Sequence, residues 1–180
     1  MEALHPKFVH LPLALALILP LLSAGIALSW WRGWLPRRAW LIVMLFQVAL
    51  VASGFVAMQS GEDDTHTAER VVSSALIQEH EAAAELFLWI SVGALLLSLI
   101  ATVAQDKRVG LRYASMTALA TAAAATAAFD AGSRGGALVY QHGAARAFIE
   151  ARAVQETVEQ DTEILPQSSQ SERPKAPGEE

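Results

Sequence analysis

A chain of 180 residues is long enough for one domain, and with 53% hydrophobic residues and a mean hydropathy of +0.34 it is more apolar than an ordinary soluble globule. Its net charge of -5 comes largely from the last 35 residues and one middle segment, which speaks against a nucleic-acid surface. With no cysteine, the chain has no disulfide, thiolate metal site, covalent c-type haem attachment or cysteine nucleophile, so any metal must be held by nitrogen, oxygen or methionine sulfur.

The chain starts with His5-Pro6-Lys7-Phe8-Val9-His10-Leu11-Pro12, two histidines at the mouth of an apolar stretch. The run 11–24 resembles a signal peptide in hydrophobicity. However, Lys7 is balanced by Glu2 and the arginines follow the run instead of preceding it, so we expect an uncleaved helix with its amino end outside. A bilayer core of about 30 Å requires about 20 apolar residues in a helix. Four stretches meet that length, at about 8–31, 39–58, 82–104 and 111–131. The expected fold is therefore an all-α membrane protein, a four-transmembrane-helix bundle over 1–145, followed at 146–180 by a periplasmic amphipathic helix and an acidic disordered tail.

Orientation follows from the connections. Arg32, Arg37 and Arg38 lie between the first two spans and Lys107, Arg108 and Arg112 between the last two, whereas the segment 59–81 carries Arg70 against Glu62, Asp63, Asp64, Glu69, Glu79 and Glu81. The positive-inside rule makes the basic loops cytoplasmic and puts both termini outside, with Trp30, Trp31, Trp34 and Trp40 as the cytoplasmic aromatic belt. All of the histidines, His5, His10, His66, His80 and His142, then fall on the outer side.

Pro6 and Pro12 suit a helix start, and Pro20 is expected to kink the first helix. Ser53-Gly54 and Ser91-Val92-Gly93 thin the second and third. The fourth is built of Ala118, Ala120, Ala122 to Ala125, Ala127, Ala128, Ala131 and Gly132, a surface for close helix packing or, equally, room for a flat cofactor. Beyond it, the glycines of 132–143 permit a turn or a close backbone approach, and Leu138, Val139 and Tyr140 can dip back against the bundle. The stretch 144–163 is amphipathic around Phe148, Ile149 and Val154, and from Leu165 the composition is that of a disordered tail.

Histidines from separate helices point to haem b, one or two groups: His10 opposite His80 as axial ligands, the small residues Ala82, Ala83 and Ala84 admitting the ring. His5 and His142 form a second pair or hydrogen-bond behind the first. His5 and His10 are about 140° apart on a helix and do not share a face. His66, in the acidic segment, is the weaker candidate. A rival set joins these histidines to Glu79, Glu81, Asp63 and Asp64 around zinc or copper, although no spacing matches a defined zinc motif. Asp130 and Arg134 read as an i,i+4 ion pair or as part of a proton relay; Glu85 has the same two readings, and Gln47 is expected to hydrogen-bond across the bundle. No hydrolase triad, phosphate loop or dinucleotide fingerprint can be placed.

The run from His5 to Pro12, the isolated His80, and Gly135-Gly136-Ala137-Leu138-Val139-Tyr140-Gln141-His142-Gly143 together resemble the domain-of-unknown-function 2231 family of bacterial four-helix membrane proteins. The likeness covers about residues 4–145. It implies an inner-membrane location, with four periplasmic histidines matching His5, His10, His80 and His142. Members are sometimes joined to cytochrome-type domains, a hint of electron transfer. The function expected is a b-type electron carrier between a quinone and a periplasmic cytochrome or larger respiratory complex. The alternatives are a cofactor-free accessory subunit and a histidine-rich metal-binding or transport protein; none of these is a stand-alone enzyme.

Overall fold

The computed structural model describes residues 9–146 and positions 149, 150, 153 and 157, with 62–68 described as backbone only. Among these residues there is no strand. Four long helices follow one another: α1 (His10–Arg32), α2 (Trp40–Ala68, entered through a 3-10 turn at Arg37–Ala39), α3 (Ser74–Val103) and α4 (Lys107–Tyr140). Each packs on its neighbour in sequence and α4 closes back onto α1, an up-and-down bundle whose most extensive seam is α3 on α4.

The distribution of side chains is that of a helix set made for lipid. Leu21, Leu45, Leu119 and Phe129 project outward, while the fully buried positions include Ser23, Gln47, Ser91, Ser98, Thr117 and Thr121. Helices apolar all round have no reason to turn a polar face to the medium around them. The stretches His10–Arg32, Arg37–Gly61 and Ser74–Val103 are long and apolar enough to cross a membrane. α4 is not among them, because alanine, threonine and glycine contribute little hydropathy and it carries charges at both ends.

One end of the bundle is closed by aromatic rings. Trp30 and Trp40 lie 6.4 Å apart between centroids, and the Trp40 indole N–H donates to Ser98 O at 3.2 Å. α1 stops at Gly33, whose φ of 78° is the left-handed cap conformation that glycine adopts without strain, and Trp34 N–H returns to Ser29 O at 2.8 Å. Arg37 donates to Ala104 O just past α3, a cation on a helix carboxyl end that ties two loops together. α4 starts on Asp106, whose carboxylate accepts Val109 N–H at 2.9 Å. Replacing this cap, Asp106→Ala, is expected to cost about 1 kcal/mol in unfolding followed by circular dichroism, and Asp106→Asn to restore most of it.

The helices run further than the bilayer-length reading. The acidic segment 59–81, expected as a loop, is mostly helix: α2 continues to Ala68, α3 begins at Ser74, and only 69–73 connect them. No proline occurs between Pro36 and Pro166, and Gly61 alone does not stop the helix. α4 likewise extends through Gly132, Gly135 and Gly136 to Tyr140, so none of these glycines makes a turn, and of the three only Gly135 meets a close neighbour. Pro20 sits inside an unbroken α1, where the Ser23 hydroxyl donates to Leu19 O at 2.7 Å. Leu138 packs with Val72, Ile77 and Ala144 as expected, whereas Val139 and Tyr140 face outward. The expected amphipathic helix lies almost wholly, and the tail entirely, outside the described residues.

Candidate functional site at the histidine end

α1 starts, α3 starts and α4 ends at the bundle end opposite the tryptophan pair, which brings the histidine-bearing segments to one rim. His10 is the first residue of α1 and is exposed; His142 follows α4 and is exposed. His5 lies outside the described residues, as does the side chain of His66. His80, expected at the head of the third helix, stands nearly two turns inside α3 and is half-buried against α4.

His80 is held between α3 and α4. Its Nδ1 lies 3.0 Å from Ala131 O, and because a carbonyl can only accept, Nδ1 carries a proton and donates it. Gly135, one turn along from Ala131, makes room for the ring: a Cβ there would lie 3.0 Å from Cε1, 3.4 Å from Nδ1 and 3.5 Å from Nε2. An added Cβ at 135 would require the His80 ring to give by a few tenths of an ångström.

Beside it runs a chain of charges. Arg134 donates through Nε to Asp130 at 3.0 Å, the i,i+4 pair anticipated from the sequence, and through Nη1 to Glu79 on α3 at 3.3 Å. All three side chains are substantially exposed, so the chain contributes on the order of 1 kcal/mol or less per pair. The cross-helix half of it, Glu79 to Arg134, was not foreseen; its signal was an acidic residue next to His80 and a base one turn beyond Asp130.

Other candidates are placed differently from expectation. Glu85 forms no ion pair among the described residues; its carboxylate accepts the Trp89 indole N–H at 3.1 Å. Gln47, expected to hydrogen-bond across the bundle, is fully buried with neither amide atom partnered. The other buried polar side chains Ser23, Ser91, Thr117 and Thr121, by contrast, bond carbonyls of their own helix. Among the described residues, no three or more of histidine, aspartate and glutamate converge as a metal site, and the side chains of Asp63 and Asp64 are outside that set.

α4 packs against both α1 and α3, and its small residues Ala114, Ala124, Ala128 and Ala131 are buried. Ala83 on α3 is buried as well. No family model matches this sequence, and no curated protein and no solved structure is significantly similar to it.

Proposed function

We propose that this is a multi-pass inner-membrane protein with both termini and its histidine end on the periplasmic side, which holds haem b through His80 and His10 and carries electrons. α4, antiparallel to α1 and α3 and packed along both, crosses the membrane with them although its own composition is only weakly apolar. The observation that supports the site is the His80 hydrogen bond to Ala131 O. A backbone carbonyl on Nδ1–H orients the ring and raises the basicity of Nε2, the arrangement typical of metal-ligating imidazoles. The donor set fits a bis-imidazole group: three histidines come from different parts of the chain to one rim, and His10 and His142 are accessible there. Because α3 and α4 pack closely, we assign the group to the rim and not to the bundle interior. Haem, when bound, supplies one-electron chemistry whose potential responds to axial ligands and burial. The chain's own part is to orient His80 through Ala131 and Gly135 and to place the Glu79–Arg134–Asp130 charges next to it. The resemblance to the domain-of-unknown-function 2231 family points the same way.

A second reading is favoured by the tight fit of the ring over Gly135, which suits a clamp between α3 and α4 in a cofactor-free accessory subunit. Absorbance spectra of the protein purified from membranes, oxidised and dithionite-reduced, separate the two. Sharp reduced haem bands that vanish in His80→Ala and His10→Ala and persist in His66→Ala are the expected result. A colourless protein, before and after incubation with haemin, overturns haem binding and leaves the clamp.

A further inference from the structure

The bundle end that the tryptophans close carries charge of one sign. The two connections there, 32–39 and 104–112, hold the exposed bases Arg32, Arg37, Arg38, Lys107, Arg108 and Arg112 against a single acid, Asp106, which is committed to capping α4. Arg37 reaches across to Ala104 O, and Trp30 near the end of α1 lies against Gly110 near the start of α4, so the two connections form one surface. Arg32 is set apart on it by its surroundings. Its guanidinium carbon lies 5.5 Å from the ring centroids of both Trp31 and Trp34, and among the described residues it has no hydrogen-bond or ion-pair partner. The backbone N–H groups of Gly33 and Trp34 cap the carboxyl end of α1, so the guanidinium is left to the rings. The rings restrict the side chain while its donors stay unused, which lowers the entropy lost when they close on an anion. Trp31 and Trp34 are 61% and 69% exposed, and Leu35 beside them is exposed as well.

Both halves of this surface select its occupant. Bases with no free acid among them select an anion, and arginine is the base whose planar fork fits a phosphate. The indoles and Leu35 select an anion that comes with apolar chains, because a soluble anion leaves them facing water; exposed indoles of this kind sit at the headgroup level of a bilayer. A zwitterionic phospholipid brings an ammonium that these bases repel. We propose that this end of the bundle binds an anionic glycerophospholipid, its phosphate held by Arg32 between the two indoles and its acyl chains lying along the rings. The remaining bases raise the local concentration of such lipids. The proposal rests on the helices spanning a membrane and not on haem.

The test uses the full chain in vesicles of mixed phosphatidylglycerol and phosphatidylcholine, with one of the two lipids dibrominated so that its contact quenches tryptophan fluorescence. A Trp89→Phe background leaves Trp30, Trp31, Trp34 and Trp40 as reporters, all at this end. The expected result is a preference for phosphatidylglycerol of at least about tenfold, weakened by salt and reduced about fivefold in Arg32→Gln. Arg146→Gln removes the same charge from the opposite end and is expected to leave the preference intact. Equal quenching by the two lipids overturns the proposal, as does an equal loss in both variants, which would make the preference an effect of net charge alone. Displacement of the brominated phosphatidylglycerol by equimolar inorganic phosphate or polyglutamate also overturns it, and reassigns the bases to a soluble anion or an acidic protein. Quenching by neither lipid overturns the membrane-spanning reading together with the proposal, so the two failures are told apart.

Discussion

Gly110→Ala is expected to lower the unfolding free energy by about 2–3 kcal/mol, a large loss for one added methyl group. A Cβ at 110 would stand 2.6 Å from Trp30 Cη2 and 3.3 Å from Cζ2, inside the contact distance of stiff ring atoms. Trp30 is only 5% exposed and leans on Trp40 at 6.4 Å, and Trp40 is in turn tied to Ser98 O by its indole N–H. The ring cannot retreat without disturbing the closure between α1, α2 and α3. The control is Gly132→Ala in the same helix, where nothing lies within 4 Å of the added carbon. There the better helix propensity of alanine, worth up to about 1 kcal/mol, is expected to leave stability unchanged or raised. Thermal and denaturant unfolding of both variants in one detergent, followed by circular dichroism, gives the comparison. Equal stability of the two would mean that the Trp30 contact does not govern this end.

Which parts of this architecture were legible beforehand follows from the range of the forces involved. The start and stop of α1 were readable because they are local: the apolar run is bounded by Gly33 and followed by Pro36, each of which acts within a turn of itself. The far ends of α2 and α4 were not. Bilayer thickness limits how many residues must be apolar, but it does not end a helix, and neither the acidic run 62–64 nor the glycines at 132, 135 and 136 contain a breaker. Gathering the histidines at one end needed only the count of spans and the placement of basic loops. The clamp on His80 needed more, because Ala131 O is a backbone atom and Gly135 has no side chain to announce a contact. Two glycines of the same helix, 110 and 132, differ in what the neighbouring helix brings to them. That information is in the packing.

Replacing Gln47 with leucine is expected to stabilise the protein by about 1–3 kcal/mol, the reverse of the usual effect of a substitution at a fully buried position. Gln47 is seven residues into α2 from Trp40, as Ser23 is seven residues back along α1 from Trp30, so both sit roughly 10 Å in from the tryptophan end. At that depth the Ser23 hydroxyl reaches Leu19 O and shares a 3.2 Å hydrogen bond with Thr121, whereas both Gln47 amide atoms are unpartnered. A buried amide without partners bears its desolvation cost in full, and leucine fills a similar volume without it. Gln47→Ala separates the two contributions: it removes the same polar atoms but leaves a cavity, so it is expected to fall below Gln47→Leu by about 2 kcal/mol or more. The order Leu above wild type, with Ala below Leu, is the signature of an orphaned amide. If leucine instead destabilises as much as alanine does, the amide has a hydrogen-bonding partner in the membrane-embedded protein, and the interior at Gln47 is polar by use and not by accident of packing.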